Sequence, residues 1–148
     1  MGNSILVAWN DSMSCRAALD YFTNFSICPE NVNITLLHIF RKGSASDELM
    51  GKAFTKEEEK RFSDLLEKAR NGLIEKGFLP ENVHIKMVVE PYQTIAEGII
   101  DQFKKDHFDM VLIGRKRMSK AEEFVMGDIS IKLVRALQNA AVLVVKTA

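Results

Sequence analysis

The residues best equipped for chemistry lie between Asp109 and Ser130, in the segment DMVLIGRKRMSKAEEFVMGDIS. An apolar run from Met110 to Ile113 leads to Gly114 and then to three consecutive cations, Arg115, Lys116 and Arg117. Gly127 and Asp128 follow and open a further helix. The chemistry this order offers is anion binding, with phosphate the natural ligand. A helix N-terminus presents unpaired N–H groups and a partial positive charge, and glycine lets the backbone approach a ligand closely. Arginine can clamp a phosphate through two parallel bonds. Asp128 works against that ligand. Aspartate is among the best N-caps, worth about 1 kcal/mol, so its carboxylate takes the helix amides for itself. At ~4 Å it also repels a phosphate oxygen by about 1 kcal/mol in water, and by more in a drier cleft. A Mg²⁺ ion held between carboxylate and phosphate would reverse that sign. For the three cations the structural alternative is a solvated turn pairing with Glu122 and Glu123.

Elsewhere the chemical signals are thin. Ser12 and Ser14 have no evident base beside them, and a serine nucleophile needs a positioned partner. His38, His84 and His107 fall on two strands and in a loop, without ligand spacing, so no metal site is expected. Cys15 and Cys28 form neither a disulfide framework nor a metal pair. No catalytic residue is assigned, and an enzyme is the least favoured reading. Twenty basic residues balance twenty acidic ones, which argues against a dedicated nucleic-acid binder. No apolar run approaches ~18 residues, so no membrane span is expected. The opening MGNSILVAWNDS reads as a strand rather than a signal peptide, and a reducing cytoplasm is the default location.

The elements that must position these residues alternate regularly. At 148 residues the simplest expectation is one domain, residues 1–148. Ile5 to Trp9 is a continuous apolar run, as in a strand buried on both faces. Ala17, Ala18, Tyr21, Phe22 and Phe25 follow at helical spacing, with Ser12 or Ser14 as cap. Val32 to Ile39 is a second strand. Arg41 to Ala53 reads as a loop rich in Gly and Ser. Thr55-Lys56-Glu57-Glu58 reads as a capping box ahead of an apolar stripe, Phe62 to Leu73, closed by Gly77. Val83 to Val89 is a third strand, Ile95 to Phe103 a third helix, and Met110 to Ile113 a fourth strand. Asp128 to Leu137 is a helix and Val142 to Val145 a fifth strand. This order implies an α/β fold, a three-layer doubly wound five-stranded parallel sheet. Ligands in such sheets bind beyond the carboxyl ends of the strands, where strand order reverses.

Both ends of the chain resemble the universal stress protein family. Ile5-Leu6-Val7-Ala8-Trp9-Asn10-Asp11-Ser12 is similar to its opening strand and DxS turn. Gly114-Arg115-Lys116-Arg117, nine residues, then Gly127-Asp128-Ile129-Ser130 follows the spacing of its glycine loop. Val142 to Val145 resembles its closing strand. The resemblance implies an adenine nucleotide alpha hydrolase-like fold and a homodimer joined through that last strand. It also implies a nucleotide site in those members that bind ATP. Backbone near Ala8 and an acidic side chain after the first strand would hold the adenosine, Ile39 would pack on adenine, and the glycine loop would hold the phosphates.

The chain departs from that pattern where the ligand would sit. Asn10 replaces the usual acid, with Asp11 adjacent, and Trp9 is larger than the usual residue. Arg117 replaces the second glycine, and Asp128 replaces a serine or threonine. The nucleotide-contact candidates are therefore Ala8, Trp9, Asn10, Asp11, Ile39, Gly114, Arg115, Arg117, Gly127, Asp128 and Ser130. The favoured expectation is a regulatory, dimeric module with weak or lost ATP binding and an unnamed protein partner. The alternative is an ATP or AMP switch, with Mg²⁺, that uses a rearranged basic loop.

Overall fold

A computed structural model describes residues 3–9, 13–25, 28–40, 51–89, 92–117, 119–121 and 128–147, without the side chains of 51–55. The five strands are β1 (Asn3–Ala8), β2 (Val32–Ile39), β3 (Val83–Val88), β4 (Met110–Lys116) and β5 (Ala141–Thr147). All neighbours pair in parallel, in the order β3-β2-β1-β4-β5. Strand β1 is central. Its Ile5, Leu6 and Val7 are buried on both faces, which is why the run is apolar without alternation. The order reverses between β1 and β4, so their carboxyl ends border the crevice where such folds take ligands.

Helices α1 (Met13–Thr23) and α2 (Gly51–Glu75) cover one face of the sheet. Helices α3 (Ile95–Asp106) and α4 (Ile129–Ala136) cover the other. Each face has its own core. Leu19, Phe22, Leu66 and Leu73 pack over Val7 and Leu36 on the first. Ile99, Phe103 and Leu133 pack over Leu6 and Val111 on the second. Short 3₁₀ turns, Pro29–Asn31 and Pro80–Asn82, lead into β2 and β3. Proline suits the first position of each because the missing N–H would have had no partner there. Gly77, at φ +105°, ends α2 as expected, a conformation glycine adopts without strain.

Four expectations are corrected. Strand β4 does not stop at Ile113. It continues through Gly114, Arg115 and Lys116, paired with Val145, Lys146 and Thr147 of a longer β5. An edge strand that offers further backbone partners overrides the local turn signal of a glycine followed by charges. Helix α2 begins at Gly51, so Thr55 lies within it rather than capping it, and the expected loop loses its last residues to helix. Adding a turn to an existing helix is far easier than nucleating one. The rest of that loop, residues 41–50, lies outside the described residues. Ser14 is buried inside α1 and does not cap it; its hydroxyl meets Thr147 Oγ1 at 3.1 Å. Tyr21 and Phe25, expected on the buried stripe, are half exposed and stack edge to face at 5.2 Å.

Gly114 has a direct steric reason. A Cβ on it would lie 2.1 Å from the Ser14 carbonyl oxygen and 2.3 Å from its carbon. Both are backbone atoms of α1, so the helix itself would have to shift. We expect Gly114→Ala to destabilise the fold by about 3 kcal/mol, the upper range for overpacking, read as a lower urea midpoint with an unchanged slope.

Candidate functional site

The C-terminal end of β4 and the first turn of α4 form the candidate site. Because β4 stays in strand, its side chains alternate between the two faces of the sheet. Arg115 points to the α3/α4 side, Lys116 to the other, so the three cations do not converge on one ligand. Arg115 Nη2 lies 2.9 Å from Asp128 Oδ2, with the two side chains 23% and 10% exposed. Arg117 continues the ladder, its N–H donating to the Thr147 carbonyl at 3.1 Å, and its side chain is exposed.

Asp128 caps α4 as its residue type dictates. Its Oδ1 accepts the Ser130 N–H at 3.0 Å and also the Ser130 hydroxyl. Burial opposes ionisation of this carboxyl. The Ser130 hydroxyl bond, the Arg115 guanidinium and the Ser130 and Ile131 amides together outweigh it, so the carboxyl titrates below its ordinary value. The donors a phosphate oxygen would use, one guanidinium and the first amides of α4, are engaged by the chain's own carboxylate. Ser130 is buried and turned to the same cap.

The candidate nucleoside contacts are distributed differently. Ala8 ends β1, and its carbonyl accepts a weak bond from Cys15 Sγ at 3.5 Å. Trp9 is 7% exposed and belongs to the α1/α2 core, on the sheet face opposite Arg115 and Asp128. Its N–H donates to the Leu37 carbonyl at 2.7 Å, and its own carbonyl is bonded by His38 Nδ1 at 2.8 Å. His38 is buried and stacked on Phe62 at 3.7 Å between ring centres, a satisfied core histidine. Ile39 is buried in the α3/α4 core. Gly114 is occupied by its contact with α1. Asn10, Asp11 and Gly127 lie outside the described residues. The structure thus joins Arg115, Asp128 and Ser130 in one network and separates them from the Trp9 ring.

A second network, which the sequence reading did not single out, ties Tyr92 to α3. The Tyr92 hydroxyl donates to Asp101 Oδ2 and receives the Gln102 side-chain amide at 3.0 Å, while Lys105 pairs with Asp101 at 3.1 Å. The Tyr92 bond, then Lys105, lowers the Asp101 carboxyl below its ordinary value. Gly98 lets α3 approach this corner, since a Cβ there would come within 2.4 Å of Ile39 and 2.9 Å of Tyr92. The sequence signal was a glycine inside a helix whose start is marked by Thr94 and Glu97; the Thr94 hydroxyl accepts the Glu97 N–H at 3.1 Å. Among the described residues no His/Cys/Asp/Glu group suited to a metal is present, and no helix is long and apolar enough to cross a membrane.

The fold is that of a doubly wound α/β protein with a five-stranded parallel sheet, an architecture of the nucleotide-binding type. The chain matches the universal stress protein family over residues 1–146, and it belongs to that family. Universal stress protein UspA from Lactobacillus plantarum superposes with a TM-score of 0.73 at 16% identity, covering 97% of each chain. A family member from Arabidopsis thaliana, solved with AMP bound, gives 0.67 at 20% identity, covering 99% of this chain and 92% of its own. A universal stress protein in complex with cAMP gives 0.66 at 13%, covering 99% and 98%. No curated protein matches the chain in sequence at comparable significance.

The Asp128 network fixes a pH dependence. Its folded carboxyl titrates below the ordinary 3.8, so its contribution to stability is complete above that value and is lost as pH falls below it. We expect Asp128→Asn to flatten the acid limb of the stability curve there. Asp128→Ala should cost about 1 kcal/mol at neutral pH through the lost cap. Urea unfolding followed across the acid range checks both.

Proposed function

We propose that this chain is a dimeric regulatory module of the stress response in which ATP binding is weak or lost. The observation that carries this reading is the Asp128 carboxylate, which takes the Ser130 amide and pairs with Arg115. A nucleotide phosphate arriving there has to displace an ion pair and then face an anion. In a site partly shielded from water that opposition amounts to several times the ~1 kcal/mol it would cost in bulk water. Binding rather than turnover is the proposed activity, in the cytoplasm and toward a protein partner; among the described residues no catalytic pair accompanies Asp128.

The dimer is proposed through β5. It is an edge strand, so one side of its backbone has no strand neighbour in the sheet, and Val142 to Val145 are only partly buried. Ile131 and Val134 of the adjacent α4 are 49% and 61% exposed. An uncovered apolar edge of this kind invites pairing with a second copy. Sedimentation velocity of the purified chain should give a dimer mass at micromolar concentration; a monomer at every concentration would overturn this part.

A second reading, an ATP or AMP switch with Mg²⁺, is favoured by one pattern. Arg115 reaches the first turn of α4, with the exposed Arg117 two residues further on, and relatives of this fold were solved with AMP and with cAMP. Titrating nucleotide-free protein with Mg-ATP by calorimetry at low salt separates the two. We expect no saturable heat up to millimolar nucleotide, and a gain of about tenfold or more in affinity, some 1.4 kcal/mol, for the double variant Asp128→Ser, Arg117→Gly. Micromolar binding by the parent chain, weakened in that variant, would establish the switch instead.

A further inference from the structure

On the sheet face opposite the Arg115–Asp128 pair, α1 and α2 part to leave a groove of about 200 Å³. Its floor is apolar, formed by Trp9, Leu19, Ala69 and Leu73. Its rim carries Arg16, Lys68 and Lys76 against one acid, Asp20. Asp20 is paired with Lys76 at 3.3 Å, not with either of the other two cations. Among the described residues Arg16 and Lys68 have neither a hydrogen bond nor an ion pair. Gly72 keeps the groove open: nothing lies within 4 Å of where its Cβ would be. Glycine in mid-helix weakens the helix relative to alanine, and the space it frees is this opening.

We infer that this groove binds a small amphiphilic monocarboxylate, with its apolar body against Trp9 and its head between Arg16 and Lys68. The chemistry selects that class. An apolar floor under two unpaired cations matches one apolar tail with one negative head. The volume lies below the roughly 300–1,000 Å³ typical of sites for drug-sized ligands, which suits a small occupant. The site shares no residue with the Asp128 network, so it stands or falls independently of the proposed ATP loss.

Trp9 is the chain's single tryptophan, so its emission reports on the groove directly. The test titrates the full chain with sodium octanoate and, in parallel, with 1-octanol, which has the same tail and no charge. We expect a saturable change in Trp9 emission with octanoate at sub-millimolar concentration, and weaker binding of octanol. Arg16→Gln and Lys68→Gln should each weaken octanoate about two- to fivefold, the scale of a partly exposed ion pair, without changing octanol. Gly72→Leu should abolish the response to both by filling the groove. Absence of a saturable change with octanoate, or equal affinity for octanol in the parent chain, overturns the inference. Should Gly72→Leu fail to fold, the two surface glutamine variants decide alone: octanoate affinity unchanged in both would overturn it.

Discussion

At Gly114, helix α1 lies so close to β4 that not even a Cβ fits between them. The Ser14 carbonyl occupies the space a Cβ on Gly114 would need, and Ser14 is tied to Thr147 of β5 across the same junction. That contact seats α1 on the sheet and keeps β4 and β5 paired to Lys116 and Thr147. The candidate site depends on it. A strand rather than a loop at Gly114 to Lys116 forces alternate side chains to opposite faces, and so directs Arg115 alone toward α4.

Asp128 then determines what Arg115 does there. The residue is a cap by its own chemistry, and the guanidinium beside it offsets much of the cost of burying its charge. A helix N-terminus that would attract an external anion carries an internal one. Aspartate at this position both caps the helix it starts and pairs with Arg115. The fold tolerates this because the stability of α4 rests on Leu133 and its neighbours in the core, not on a ligand.

The two faces of the sheet divide the chain's chemical equipment. Arg115, Asp128 and Ser130 belong to the α3/α4 side, with the Tyr92–Asp101–Gln102 network nearby. Trp9 and His38 belong to the α1/α2 side, over a groove rimmed by Arg16 and Lys68. Trp9 follows a strand whose alternation assigns it to the face of Ile5 and Val7, so its ring cannot serve a ligand held by Arg115. One-step alternation along β1 and β4 is enough to place Trp9 and Arg115 on opposite faces of the sheet.

Element order and fold class were legible in the sequence. Strand β1 is apolar from Ile5 to Ala8 because both its faces are buried there, and helical spacing of apolar residues marked α1, α2 and α3. Asp128 as a cap was legible too, since capping involves only the side chain and the next few amides. What the sequence alone did not determine was the reach of β4, the start of α2 and the inward turn of Ser14. Two of these depend on a partner distant in the chain, β5 for the strand and Thr147 for the hydroxyl; the first turn of α2 depends on the helix already formed behind it. Gly114 shows the difference most clearly. Locally it is a turn residue or a phosphate-loop glycine, and only the tertiary structure reveals the α1 backbone lying where its side chain would be. Local hydrogen bonding is written in adjacent residues, whereas steric exclusion between distant segments exists only once the chain has folded.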